Sequence, residues 1–213
     1  KPRGRHPRKR GKDQLGKVVG GDGELDAELA ARRERAEAEA AGKFIMGLSK
    51  EAFAILRNTQ LQRDDARRQF RAMLKENVAV TEIGAKLIRR HLPPKISDDQ
   101  YRRYQAAFPD FVVGSYADRL YAYADADFRL IAARPRGTRG DIDVVTRVSN
   151  KGGEPFDSVW AVRKSADGRF RITNLTVAGV NLTITQEADF DAYIRRNGFD
   201  ALVDFMQKSG SRA

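Results

Sequence analysis

Residues 141–178 read DIDVVTRVSNKGGEPFDSVWAVRKSADGRFRITNLTVA. Three alternating runs, 141–149, 155–164 and 169–178, are broken by Asn150-Lys151-Gly152-Gly153 and by Ala166-Asp167-Gly168. Alternation at period two is the signature of a strand with one buried face, and glycine-bearing links this short join neighbours antiparallel. A fourth run, 128–134, comes before them across Pro135-Arg136-Gly137. The stretch therefore predicts a four-stranded antiparallel meander. Its apolar face is read as Phe128, Leu130 and Ala132; then Ile142, Val144 and Val148; then Phe156, Trp160 and Val162. In the last strand Phe170 and Ile172 have one parity and Leu175 and Val177 the other. A bulge near Asn174 would put all four on one side.

Outward from the strands the period becomes helical. Phe44, Leu48, Phe53, Ile55 and Leu56 recur at helical spacing, and a second helix is expected over 64–76, with Phe70, Met73 and Leu74 on one side. Thr81 is placed to cap a third, which His91-Leu92-Pro93-Pro94 stops. Ser97 and Gln100 have capping-box spacing. The helix they open carries Tyr101, Tyr104 and Phe108, after which Pro109 marks a new helix or a kink. Phe111, Val112, Tyr116, Leu120 and Tyr123 continue the stripe. Two helices close the chain, over 186–196 and from Phe199 to Met206, with Gly198 suited to ending the first of them. Helices, then sequential strands, then helices give an α+β domain with helices on one face of a curved sheet.

The chain has 213 residues and a net charge of +11, unevenly spread. Residues 1–17 hold eight Lys and Arg against Asp13, a net of +7; residues 18–43 sum to −3. Residues 1–23 hold almost nothing large and apolar, and they read as a disordered tail. Residues 24–43 are rich in Ala, Glu and Arg, with Leu25 and Leu29 as their large apolar residues, and predict a helix that is exposed or frayed. The expected domain is 44–208, followed by a short tail, 209–213. The apolar runs are far short of the roughly 20 residues that span a bilayer. The chain starts at Lys1, so it reads as trimmed, and an export signal would already be gone.

Little in the sequence suggests catalysis. There is no cysteine, which excludes disulfides and thiolate chemistry. His6 lies in the tail and His91 at a helix end, where a cap or surface role is expected; neither a catalytic nor a metal site is. Asp125 and Asp127, and Asp141 and Asp143, are the carboxylate pairs available for acid–base work, as an isomerase or dehydratase would need. Arg129, Arg134, Arg136 and Arg139 surround them, which favours exposed turn and edge charges. The basic tail has no interleaved aromatic residue, so no specific nucleic-acid partner is expected.

Three stretches carry a resemblance. Phe111 to Leu120, FVVGSYADRL, follows the Ser97–Phe108 helix; Asp167 to Leu182 reads DGRFRITNLTVAGVNL; Phe190 to Leu202 reads FDAYIRRNGFDAL. Together they resemble the MlaC or toluene-tolerance family of periplasmic phospholipid-binding proteins, which has a hopanoid-associated branch. The likeness spans about residues 44–208. That family usually has Trp at the place of Phe170, Asp at Asn174 and Ser at Asn181.

The resemblance implies a cystatin-like sheet and helices around an apolar cavity that takes acyl chains. It implies a periplasmic, monomeric carrier with no cofactor, which shuttles phospholipid or hopanoid-like lipid between an inner-membrane ABC-type complex and an outer-membrane partner. The residues expected to wall the cavity are Phe108, Phe111, Val112, Tyr116, Leu120, Val144, Val148, Trp160, Val162, Ile172, Val177 and Val180.

Overall fold

The computed structural model describes residues 21–121 and 123–211, the side chains at 21, 22, 117–120 and 211 aside. The basic stretch 1–17 lies outside the described residues. Helix α1 (Gly21–Arg57) leads to α2 (Arg63–Asn77), α3 (Val80–Leu87), a 3-10 turn (Arg89–His91) and α4 (Asp98–Tyr121). The strands follow as β1 (Asp127–Arg136), β2 (Asp141–Ser149), β3 (Phe156–Lys164), β4 (Phe170–Val177) and β5 (Val180–Asn181), and then come α5 (Leu182–Asn197) and α6 (Phe199–Ser211).

The sheet is an antiparallel meander in sequence order. It has five strands, not the expected four, because Thr176 and Val177 pair with Asn181 and Val180. Gly168, at φ +80°, makes the tight β3–β4 link. Two bulges decide which side chains share a face. In β4, Val162 faces Ile172 and Ala161 faces Asn174, so Thr173 is the extra residue. The expected bulge is there, and it brings Ile172 and Leu175 to one side. In β1 the register shifts between Leu130 and Ala132, with Ile131 extra. Ala132, expected on the apolar face, is opposite Val145 on the other face; Ala133, opposite Val144, takes its place.

α1 lies across this apolar face. Ala38, Ala41 and Ile45 pack with Ile142, Val144, Val162 and Ile172 in one buried cluster. The segment 24–43, expected to be exposed or frayed, is continuous with the next helix, and its C-terminal part is buried. The reason is size. Ala38 and Ala41 add little area, but they let the helix backbone approach the strands closely, and a Cβ added at Gly42 would lie 3.1 Å from a methyl of Leu130. The residues from Gly23 to Glu37 remain exposed.

The other helices build a second core. Leu87, Ile88, Tyr104, Phe108, Phe111, Phe190, Leu202 and Met206 are buried together. Burying each such side chain contributes about 1.5–3 kcal/mol. The Tyr104 hydroxyl donates to the Gly84 carbonyl at 2.8 Å, and burial pushes its ionisation upward. The Ser97–Gln100 capping box forms in both directions, at 2.9 and 3.1 Å. α4 then runs through Pro109 as one helix, where a new helix had been one expectation. Pro109 deprives the Gln105 carbonyl of its donor, and both residues line an open pocket of about 480 Å³. Thr81 is no cap: it lies inside α3, whose N-cap residue is Ala79. Gly198, at φ +87°, does end α5. His91 is not a cap either. Its Nε2 lies 2.8 Å from Asp191, which Arg195 and Arg90 also approach. The His91 hydrogen bond, with these two cations behind it, holds the Asp191 carboxyl below the usual range.

Candidate functional site

Cross-strand register builds the site. Trp160 is opposite Val144 and Leu175; Ser158 is opposite Thr146 and Val177; Phe156 is opposite Val148, and Phe128 is opposite Val148 from the other strand. All these side chains share the face that α1 crosses. Under α1 the face is closed: Val144 and Val162 are fully buried, Ile142 and Ile172 nearly so. Beyond α1 it is a tray. Phe128, Phe156, Trp160, Leu175 and Val177 are all only half-buried, large and apolar.

The tray is braced at its edges. Phe53 of α1 meets the Phe128 ring edge-on at 5.9 Å, Phe128 meets Trp160 at 6.2 Å, and Tyr123 meets Phe156 at 5.9 Å. Such edge-on pairs fix ring orientation. The Trp160 indole donates to the Thr146 hydroxyl at 2.9 Å, so the one N–H of the tray's largest side chain is satisfied within the protein. At the rim, Arg57 donates from Nε to the Ala124 carbonyl at 2.6 Å and from Nη2 to the Ala126 carbonyl at 3.5 Å. Its guanidinium stands over the Phe53 ring, 5.2 Å from the centroid. The tray thus has uncharged walls and a cation at one end. That chemistry suits an amphipathic molecule.

The twelve expected wall residues do not share one space. Trp160 and Val177 lie on the tray, and Val148 is buried opposite Phe128 and Phe156; Val144, Val162 and Ile172 are packed beneath α1. Phe108, Phe111 and Val112 belong to the helical core, and Phe108 also reaches the wall of the pocket of about 480 Å³. Tyr116 is half-buried on α4, and Val180 is exposed on β5. The side chain of Leu120 lies outside the described residues. A second open cleft, of about 390 Å³, separates α1 from α2 and is lined by residues such as Ile55, Met73 and Glu51.

The reading from sequence left Phe53, Phe128, Phe156 and Leu175 off the wall and Arg57 off its rim. Alternation had put Phe128 and Phe156 on the apolar face, but nothing in one strand shows where a helix stops covering it. The carboxylates point elsewhere. Asp127, Asp141 and Asp143 sit on the opposite face and pair with Arg129, Arg163 and Arg136 at 3.4, 2.7 and 3.1 Å. Asp125 is exposed in the turn before β1.

Asn174 and Asn181 both make defined polar contacts. The Asn174 side-chain oxygen accepts from the Leu175 N–H at 2.8 Å and from the Thr183 hydroxyl at 2.6 Å; that of Asn181 caps α5 by accepting from Ile184 at 3.1 Å. Each role needs only an acceptor oxygen, which Asp or Ser also supplies.

The model of the MlaC protein family matches residues 47–208. Among solved structures, the chain is similar to the phospholipid-binding protein from Ralstonia solanacearum, determined at 1.53 Å in complex with a phospholipid. The two are 18% identical with a TM-score of 0.65, over 79% of this chain and 95% of that one. At that identity the likeness shows a common fold. No curated protein matches the chain.

Proposed function

This chain belongs to the MlaC family, and from that premise we propose that it is a lipid carrier whose sheet tray receives the acyl chains of a phospholipid or hopanoid-like lipid. One observation carries the reading: five large apolar side chains on one half of a sheet face, Phe128, Phe156, Trp160, Leu175 and Val177, keep part of their surface while α1 seals the adjoining half. Each methylene taken from water onto such a surface contributes about 0.8 kcal/mol. A carrier must match the apolar environment of the bilayer with uncharged walls, because an unpaired charge beside an acyl chain is costly. The carboxylates of the sheet are on its other side. A head group would remain at the solvent edge. The carrier would work in the periplasm as a monomer, moving lipid between an inner-membrane ABC-type complex and an outer-membrane partner, with no covalent step. The phospholipid bound to the structural neighbour supports the ligand class.

Native mass spectrometry of the purified chain, with denaturing release and identification of any bound molecule, tests the reading. A phospholipid or hopanoid mass near one-to-one occupancy is expected. Protein that is empty and extracts nothing from liposomes would overturn it.

A further inference from the structure

The sealed half of the sheet face and the tray are one surface: Val144 is opposite Trp160 and Trp160 is opposite Leu175, so the floor runs on beneath α1. What seals it there is the stretch from Ala38 to Ile45. That stretch lies ahead of residue 47, where the match to the MlaC family begins, so the seal is outside what the family model describes. Its two ends differ. Ile45 is 1% exposed and, with Phe44 and Leu48, packs against the sheet as bulky core. Ala38, Ala41 and Gly42 carry one methyl or none, so their own share of the buried apolar area is small. The turns before them, Gly23 to Glu37, are exposed. Among the described residues one side-chain interaction ties those turns to the sheet, the Lys164–Glu37 pair at 3.4 Å, with both partners about half exposed; such a pair contributes little.

We propose that α1 ahead of Lys43 is an intramolecular plug. In the ligand-free chain its Ala38–Gly42 stretch occupies the continuation of the tray, and an aliphatic chain of the lipid displaces it as one helical piece, pivoting on Ile45, to lie along Val144, Val162 and Ile172. The inference rests on the carrier reading and deepens it: it adds a second apolar site beneath α1, open only to a ligand long enough to reach it. Lifting the plug in water would expose buried aliphatic side chains of three strands, so it stays down while the tray is empty. A chain advancing past Trp160 covers those side chains as α1 uncovers them, and it buries its own methylenes as well. What the exchange gives up is the contact of two alanines and an exposed ion pair. A chain that ends short of Trp160 gains nothing from the exchange and remains on the tray. A minor open state is in this way made dominant by the ligand.

The experiment staples the plug in the full chain. A Cβ at Gly42 lies 3.6 Å from that of Ala133, within the range a disulfide spans, and the chain has no cysteine of its own. In Gly42→Cys/Ala133→Cys, oxidation therefore locks α1 to β1 and reduction frees it in the same protein, so the two states are compared without a second fold to question. The probes are dioleoylphosphatidylglycerol in vesicles and dihexanoylphosphatidylglycerol in solution. The locked form is expected to take up the long lipid about tenfold less than the reduced form, roughly the worth of two buried methylenes. The short lipid should bind both forms alike. Equal uptake of the long lipid by the locked and reduced forms overturns the plug and leaves the carrier reading standing. A lock that costs both lipids equally also overturns the plug, because the short chain never reaches beneath α1. Reduced and wild-type protein that take up neither lipid overturn both readings.

Discussion

Two halves of one sheet face are built from the same strands and the same alternation, yet one is core and the other is not. Beneath α1, Val144 and Val162 are completely buried. Further along the strands Trp160, Phe156, Leu175 and Val177 keep part of their surface, while Thr146, Ser158 and Val148 among them are buried. The difference lies in the helix above. Over the closed half α1 presents Ala38, Ala41 and Gly42 and comes close. Towards its C-terminus it presents Phe53, which meets the sheet edge-on at Phe128, and Arg57. On the proposed function, packing against a helix and holding a ligand are alternative uses of one apolar face.

The largest expected effect lies on the closed side. Ile45 is 1% exposed at the α1–sheet contact. Ile45→Ala should destabilise the protein by about 2–5 kcal/mol, read as a lowered urea midpoint, because the cavity left between helix and strands cannot fully collapse. A loss below about 1 kcal/mol would show that the two halves do not differ in packing.

Leu175→Ala, on the open side, should separate the two roles. Leu175 has already kept part of its surface in water, so the stability loss should be smaller, about 1 kcal/mol. Lipid occupancy measured on the same sample should drop several-fold, since the tray loses a floor residue next to Trp160. A large stability loss with undiminished occupancy would place Leu175 in the core and close the tray.

The contrast between the halves also explains what could be read from the sequence. Period-two runs and glycine turns located β1 to β4 within a residue or two, and parity plus one bulge assembled the apolar face from Ile142 through Val177. The capping box at Ser97 and the stop at Gly198 were legible because each depends on neighbours in the chain. The α1 footprint was not. It is set by Ala38 and Ala41, whose contribution is their lack of bulk, and a search for large apolar residues passes over them. For the same reason Phe108 and Phe111 were expected beside the sheet. Their stripe is apolar, but only the fold shows that it faces Phe190 and Phe199. Arg57 had no signal at all, since its partners are carbonyls 67 and 69 residues away.

The smallest effect tests the closeness of approach itself. In Gly42→Ala two terms oppose each other. Replacing a glycine inside a helix stabilises by about 1 kcal/mol, since alanine has less backbone freedom to lose. Against this, the new Cβ would sit 3.1 Å from Leu130 Cδ2, with the next atoms, Ala133 Cβ and Leu130 Cδ1, at 3.6 Å. The tight contact is with the far end of one flexible side chain. Leu130 is 43% exposed on the outer strand, so its methyl has room to yield by a few tenths of an ångström. The helix term should therefore win, raising stability by about 0.5 kcal/mol with lipid occupancy unchanged. Destabilisation instead would mean that Leu130 is held fast, so that α1 and β1 form one rigid wall. The yielding margin of the ligand site would then have to be sought at the α4 side of the tray, where Tyr123 meets Phe156.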